Sequence, residues 1–249
     1  MKVYTEPTNK ELDAELKSFL NSLRDTRGFQ AEEFLEDKIK TIDAYFGEQS
    51  LDTAVIGISG GIDSAVCLAI LSQPGYKNLK TIVPVFLPVS GKGMTNREEA
   101  EAKAEAVCDA LGHKLVSIDL TASHNILKQT VDDSLGLLGE DWANGQLVSY
   151  IRTPTFYYIT SLLNEAGHSP IVCGTINRDE GAYLGFLGKA GDGMVDVQLI
   201  SDLHKSEVRS LADLLNVPKE IIAAQPTGDM YDSRVDEDVF EASYDFVEL

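Results

Sequence analysis

The sequence predicts an α/β fold, in which an open parallel sheet carries helices on both faces. Short, almost continuously apolar segments alternate with longer segments whose apolar residues recur at helical spacing. The chain has 249 residues, of which 43% are hydrophobic and 24% charged, as is ordinary for a globular protein. This length suffices for one good core, so we expect one main domain over residues 29–249, preceded by an N-terminal arm or helix over residues 1–28.

The predicted elements alternate regularly along the chain. Within the arm, apolar residues from Leu12 to Leu23 suggest a helix, and packing on the body or on an oligomer partner fits that pattern equally. The five predicted strands cover residues 53–58, 81–87, 114–119, 170–174 and 195–200. The other predicted helices cover residues 31–46, 62–71, 96–111, 122–138, 147–166, 206–215 and 218–224. Asn96 is the predicted cap of the helix at 96–111, and residues 89–95 before it are predicted to form a flexible loop. Pro154 is expected either to kink the helix at 147–166 or to mark its true start.

The segment between the first strand and its helix predicts an anion site. It reads Ser-Gly-Gly-Ile-Asp-Ser from Ser59 to Ser64. Its adjacent glycines, Gly60 and Gly61, allow the backbone to approach a phosphate, the serines add hydroxyl donors, and the helix N-terminus supplies unpaired N–H groups. Asp63 would repel phosphate directly, so its sensible role is to hold a magnesium ion that bridges to phosphate oxygens.

Charge and composition exclude several classes of function. The net charge is −19, from 40 acidic and 21 basic residues, which argues against a general nucleic-acid-binding surface. No apolar run approaches a membrane span, and the N-terminus lacks the apolar core of a secretory signal. The three cysteines include no Cys-x-x-Cys pair, which argues against zinc, an iron–sulfur cluster or disulfides, and Cys67 and Cys173 lie in apolar runs as expected of buried residues. We therefore expect a cytoplasmic protein with no membrane partner.

Three further blocks narrow the family. They are Gly-Thr-Ile-Asn-Arg-Asp-Glu at residues 174–180, Gly-Asp at 191–192 and Asp-Leu-His-Lys-Ser-Glu-Val at 202–208. The Ser59–Ser64 loop resembles the pyrophosphate loop of the N-type ATP pyrophosphatase superfamily, which cleaves ATP between its α and β phosphates. With the later blocks in order, the chain resembles ammonia-dependent NAD synthetase from about residue 30 to 245.

This resemblance implies a fold, a reaction and a set of site residues. The fold would be adenine nucleotide alpha-hydrolase-like, a Rossmann-like arrangement, and the main domain an ATP pyrophosphatase. The substrates would be ATP, with Mg²⁺, nicotinic acid adenine dinucleotide and ammonia, which give NAD, AMP and pyrophosphate through an adenylated intermediate, in a homodimer. The implied ATP-binding residues are Ser59, Gly60, Gly61, Asp63, Ser64, Thr175 and Lys205. Asp63 and Glu180 would hold the metal and act with Lys205 in catalysis, while Arg152 and Asp192 would bind the dinucleotide.

Two departures from the family pattern leave the acceptor substrate open. Tyr150 stands where the family often has an arginine, and residues 185–190 differ from the family's usual run before Gly-Asp. An ATP-dependent amide ligase that acts on nicotinic acid mononucleotide or another carboxylate therefore remains an alternative. A non-catalytic nucleotide-binding homologue is a third reading. The four histidines show no ligand spacing and are given no chemistry.

Overall fold

Five parallel strands form the centre of a computed structural model of the chain, which describes residues 11–91, 97–227 and 235–249. In chain order the strands are β1 (Thr53–Gly57), β2 (Thr81–Phe86), β3 (Val116–Ser117), β4 (Pro170–Gly174) and β5 (Val197–Gln198). They are arranged as β3-β2-β1-β4-β5, and every neighbouring pair is parallel. The predicted open parallel sheet is confirmed.

Helices cover both faces of this sheet. In chain order they are α1 (Ala14–Arg27), α2 (Ala31–Glu48), α3 (Ile62–Leu71), α4 (Arg97–Ala110), α5 (Thr121–Leu135), α6 (Asp141–Glu165), α7 (Lys205–Leu214), α8 (Lys219–Ile222), α9 (Asp236–Phe240) and α10 (Tyr244–Glu248). The larger hydrophobic cluster lies between one face and helices that include α2, α3 and α7. The smaller cluster joins Val55 and Val85 to Val148 of α6 on the opposite face. Alternating apolar strands and amphipathic helices thus fold into the two-faced layer arrangement that their sequence predicts.

The strand order reverses at the centre of the sheet. Val55 of β1 is in register with Val83 of β2 on one side and with Val172 of β4 on the other. In open parallel sheets ligands bind beyond the carboxyl ends of the strands at such a reversal. The segments that follow Gly57 and Gly174 therefore face the same crevice.

The two edge strands are shorter than predicted. The sequence indicated strands over residues 114–119 and 195–200, but only two residues of each pair with the sheet. An edge strand has a neighbour on one side alone, so hydrogen bonding extends only as far as that neighbour runs alongside. Apolar residues beyond the paired positions pack in the core without belonging to a strand, as the buried Leu199 and Ile200 do.

Helix α6 begins earlier than predicted and continues through Pro154. It starts at Asp141 and not at Leu147, so the alternative that Pro154 marks the start of the helix is wrong. Proline lacks an N–H donor, which removes one hydrogen bond of the helix. Packing against the sheet compensates, since the Phe156 ring lies against Gly57, where an added Cβ would be 2.9 Å from the ring.

Helix α1 packs on the body of the protein through one face. Leu20 is buried, and Arg27 donates hydrogen bonds to Glu207 of α7 and to the carbonyl oxygen of Asp202. The neighbouring Phe19, on the same apolar stripe of the helix, is exposed. The predicted helix in this region is confirmed, and part of its apolar face contacts the body within the chain.

Some predictions lie outside the described residues. These are the Asn96 helix cap and most of the predicted 89–95 loop. In the described part of the chain the three cysteines are buried thiols. Among the same residues, no helix combines the length and apolar character needed to cross a membrane.

Candidate active site

The loop between β1 and α3 has the geometry of a phosphate-binding turn. Gly60 adopts a φ of +83°, and an added Cβ would lie 2.8 Å from the carbonyl oxygen of Ala100, so glycine is required there. The Oγ atoms of Ser59 and Ser64 lie 3.2 Å apart, and Ser64 Oγ donates to the carbonyl oxygen of Gly61 at 3.0 Å. These bonds hold both hydroxyls at the N-terminus of α3, where its first N–H groups are available to an anion.

The segment after β4 lies beside this loop. Asn177 is completely buried and donates from Nδ2 to Asp63 Oδ1 at 3.0 Å. Its Oδ1 accepts the N–H of Glu180 at 3.0 Å, so one amide fixes the positions of both carboxylate-bearing residues. Thr175 lies at the start of this segment and is half-buried. A single turn of π-helix (Asp179–Leu184) follows, and such turns are frequent at functional sites.

Lys205 joins the two predicted carboxylates. It is the first residue of α7 and only 1% exposed, and its Nζ lies 2.5 Å from Asp63 Oδ2 and 3.0 Å from Glu180 Oε1. Burial alone would lower the pKa of Lys205, but the charges of Asp63 and Glu180 outweigh it and raise the pKa, so the amine stays charged. Burial, together with the Asp63 charge, raises the pKa of Glu180.

A buried pair that the sequence analysis missed supports these residues. Asp179 Oδ1 lies 2.7 Å from Nδ1 of His204, and Asp179 Oδ2 accepts the backbone N–H of Lys205 at 2.8 Å. The backbone N–H of His204 donates to Glu207 Oε2 at 2.9 Å. Asp179 and His204 directly precede Glu180 and Lys205 in two separate sequence blocks, and this location was the available signal. His204, to which the sequence analysis gave no chemistry, thus shares Asp179 with the backbone of Lys205 and helps to place it.

The C-terminal segment also enters the site. The hydroxyl of Tyr244 lies 2.7 Å from Glu180 Oε1 and 3.0 Å from Asp236 Oδ2. Tyr244 and Asp236 are both buried. Nothing in the local sequence around Asp236 or Tyr244 indicates that this segment reaches the crevice.

The predicted acceptor residues have other hydrogen-bond partners in the described part of the chain. Arg152 on α6 donates from Nε to the carbonyl oxygen of Leu87 at 3.1 Å. Asp192 is exposed, and its carbonyl oxygen accepts a hydrogen bond from Gln198 at 2.8 Å. In residues 11–91, 97–227 and 235–249, no hydrogen bond or ion pair joins Arg152 or Asp192 to Lys205 or its two carboxylate partners. The structure thus gathers the predicted ATP and metal residues, and leaves the predicted acceptor residues on flanking elements.

Helix α6 fixes the loop that precedes Asp192. The hydroxyl of Thr153 donates to the carbonyl oxygen of Ala190. At Gly188 and Gly191 an added Cβ would come within 2.6 Å of the hydroxyl of Ser149, so glycines permit this close packing. The loop is therefore positioned by the helix that also carries Arg152.

The donor set fits magnesium carried by a nucleotide. Within the described residues, no group of three His, Cys, Asp or Glu side chains could hold a metal ion by itself. Magnesium is usually bound through one or two carboxylates together with substrate phosphates and waters. Asp63 and Glu180 supply two carboxylates beside the phosphate turn, and an ammonium that lies between them shows that this space accepts positive charge.

Comparison with known sequences gives one consistent family. The model of the NAD synthase family matches residues 34–248. An NH(3)-dependent NAD(+) synthetase of Methanococcoides burtonii is 31% identical over 198 residues, which cover 80% of this chain and 70% of that protein. The enzyme of the same name from Mesoplasma florum is 31% identical over 234 residues, which cover 94% of this chain and 84% of that protein.

Solved structures show the same fold. An NMN synthetase from Francisella tularensis superimposes with a TM-score of 0.76 at 23% identity, over 88% of this chain and 85% of that one. An NH3-dependent NAD synthetase from Campylobacter jejuni gives a TM-score of 0.66 at 22% identity, over 78% of this chain and 77% of that one.

Proposed function

The chain belongs to the NAD synthase family of ligases, and we propose that it converts nicotinic acid adenine dinucleotide to NAD, using ATP and ammonia and releasing AMP and pyrophosphate. The observation that supports this proposal most directly is the buried Lys205, whose ammonium is held between Asp63 and Glu180 beside a phosphate-binding turn. A site that must stabilise developing negative charge on a leaving pyrophosphate needs this combination of groups.

The first step of the proposed reaction makes an activated acyl group. A carboxylate oxygen of the acceptor attacks the α-phosphorus of ATP, and the bond from that phosphorus to the oxygen that leads to the β-phosphate breaks. The loop from Ser59 to Ser64 binds the phosphates through backbone N–H and hydroxyl groups. Lys205 stabilises the charge that accumulates on pyrophosphate as it leaves, because its ammonium is already oriented and desolvated. Magnesium, held by Asp63 and Glu180 with the phosphates, would neutralise further charge.

The second step forms the amide. The nitrogen of ammonia attacks the acyl carbon, AMP leaves with the electron pair of the broken C–O bond, and the nitrogen releases one proton to solvent. Correct placement of three molecules is the main requirement, and positioned elements around the crevice supply it. Arg152 and the loop that ends at Asp192 are the proposed contacts of the acceptor.

A mononucleotide acceptor is the second candidate. Tyr150 and residues 185–190, which depart from the family pattern, lie on α6 and on the loop before Asp192, the elements proposed to bind the acceptor. Tyr150 donates its hydroxyl to Gln146 within α6 and contributes no charge there. One fewer cation on this helix favours an acceptor with fewer phosphates.

The proposal also includes magnesium, a cytoplasmic location and a homodimer. The two carboxylates support magnesium. The homodimer is supported by the number of large apolar side chains that α5 and α6 leave exposed, since burying apolar surface against a partner is favourable. They include Leu135, Trp142 and Tyr158.

Pyrophosphate release distinguishes the candidates. The protein is incubated with ATP, magnesium and ammonium, and with the dinucleotide, the mononucleotide or no acceptor, while Glu180→Gln serves as the control. Release with the dinucleotide and matching formation of NAD is the expected result. Release with the mononucleotide alone would show that the mononucleotide is the acceptor and that the reaction type is as proposed. ATP binding without release in any mixture would indicate a non-catalytic nucleotide-binding protein.

A further inference from the structure

The aromatic ring and hydroxyl of Tyr244 lie within the charged cluster of the site. Tyr244 is 3% exposed, although it is only five residues from the end of the chain. Its hydroxyl is 2.7 Å from Glu180 Oε1, and the Nζ of Lys205 lies 4.8 Å from the centre of its ring. One side chain therefore contacts both a proposed metal ligand and the proposed catalytic cation.

These two contacts have different physical effects. The Tyr244 hydroxyl and Lys205 Nζ both donate to Glu180 Oε1, and together they orient the carboxylate. Neither of these two donors bonds to the other oxygen, Oε2. The face of the ring is electronegative and stabilises a buried ammonium. Burial, followed by the charge of Glu180, raises the pKa of Tyr244, so its hydroxyl keeps the proton that it donates.

Neighbouring groups hold Tyr244 in this position. Asp236 Oδ2 lies 3.0 Å from its hydroxyl, and its backbone N–H donates to Glu237 at 3.0 Å. The ring packs edge-on against Phe240, which packs in the same way against Phe186 at the start of the loop that leads to Asp192. The side chain is thus fixed by polar contacts at the hydroxyl and by aromatic contacts at the ring.

The N-terminal helix anchors the helix that begins with Tyr244. Arg24 of α1 donates from Nε and Nη2 to the two oxygens of Glu248 at 2.9 and 2.6 Å, and from Nη2 to Asp245 at 2.7 Å. Such two-point pairing of a guanidinium with a carboxylate fixes orientation as well as distance. Helix α10 has only five residues and would not be stable alone, so these contacts, together with those of Tyr244 itself, hold it in place.

We propose that Tyr244 is a positioning residue for the metal–nucleotide site, which orients Glu180 and Lys205, and that Arg24 holds it there from helix α1. The inference rests on the proposed function insofar as it assumes a metal–ATP complex at this site. It does not depend on which acceptor is used. Groups that orient metal ligands in this way commonly change metal affinity by 10- to 100-fold when they are removed.

The test removes the hydroxyl and keeps the ring. In Tyr244→Phe, the affinity of the protein for Mn²⁺ with a non-cleavable α,β-methylene analogue of ATP is measured by electron paramagnetic resonance, without acceptor or ammonia. We expect affinity at least about 10-fold weaker than in the native protein. Arg24→Ala, which frees α10 but leaves the tyrosine in place, should weaken binding in the same direction.

Tyr76→Phe is the matched control. Tyr76 is a largely buried tyrosine outside the proposed site, and its hydroxyl donates to the carbonyl oxygen of Ile70 at 3.1 Å. This variant should bind the metal–nucleotide complex as the native protein does, even if its melting temperature falls as far as that of Tyr244→Phe. Equal affinity in Tyr244→Phe and Tyr76→Phe would overturn the proposal, as would equal weakening in both.

The outcome separates this inference from the proposed function. If the native protein binds Mn²⁺ and the analogue but makes no NAD, the proposed function fails, and the comparison of variants still decides the role of Tyr244. If the native protein binds no metal–nucleotide complex, both proposals fail.

Discussion

Replacing Lys205 with methionine tests the centre of the proposed site. Methionine keeps most of the length of the side chain and removes the charge, which leaves Asp63 and Glu180 without their shared partner. At 3.0 Å and an effective dielectric constant of about 20, the attraction between Lys205 and Glu180 is about 5.5 kcal/mol before desolvation is subtracted, and the attraction to the closer Asp63 is larger. Loss of one partner from a buried ion pair usually costs about 3–5 kcal/mol net, because the remaining charge stays desolvated.

This free-energy loss sets the expected measurements. For a chain of this size, about 2–4 °C of melting temperature is lost per kcal/mol, so Lys205→Met should melt roughly 6–20 °C lower than the native protein. Pyrophosphate release should fall by about 100- to 1,000-fold, the usual effect of removing one group that stabilises transition-state charge.

A surface lysine provides the control. Lys40 is 69% exposed in its side chain and pairs with Asp37 on the same helix, so solvent screens the pair, and Lys40→Met should leave both the melting temperature and turnover essentially unchanged. Differential scanning calorimetry and a pyrophosphate assay measure both variants. If Lys205→Met melts within 2 °C of the native protein, about what 1 kcal/mol would produce, and keeps a tenth or more of the turnover, the charge argument is refuted.

Three other changes probe the surroundings of the site. Gly60→Ala places a Cβ against the carbonyl oxygen of Ala100 in α4 at a positive φ, so it should lower the free energy of unfolding by about 1–3 kcal/mol and weaken ATP binding. Gly167→Ala is the control for backbone strain alone, because Gly167 has a φ of +93° and no atom within 4 Å of an added Cβ. Thr153→Val removes the hydroxyl that holds the 188–191 loop and should raise KM for the acceptor about 2- to 10-fold with KM for ATP unchanged; an equal rise in both would contradict the role of the loop. The pKa of Asp119 is lowered to about 2 by hydrogen bonds from the threonine that begins α5, so its stabilising effect is complete above about pH 4 and is lost as pH falls towards 2. The stability of Asp119→Asn should therefore depend less on pH between about 2 and 4 than that of the native protein. An equal pH dependence in both proteins would show that Asp119 does not contribute to it.

Local sequence was sufficient to predict the central fold and the phosphate turn. The strand before Ser59, the two glycines and the helix at Ile62 lie within a few residues of one another, and each has its own local signal. The remaining motif residues of the ATP site were identified by resemblance, and Lys205 does contact Asp63 and Glu180. The roles assigned to Arg152 and Asp192 remain predictions.

Other parts of the site had no local signal. Tyr244 is 64 residues from Glu180, and neither residue has neighbours that indicate the other. The pairing of Asp179 with His204 is similar, because these residues are 25 positions apart and come together only in the folded chain. Hydrogen bonds between such positions depend on the relative placement of whole elements.

The sequence by itself determined the order of strands and helices along the chain, the parallel sheet and the glycine turn before α3, because these depend on the periodicity of apolar residues and on backbone conformations that a few neighbouring residues control. Only the tertiary structure decided which charges are buried together. It placed Lys205 between two carboxylates, set the tyrosine of a five-residue helix over its ammonium, and held that helix through Arg24 near the opposite end of the chain. The physical reason is that the energy of a buried charge depends on every group within a few ångströms, and folding brings those groups together from distant parts of the sequence.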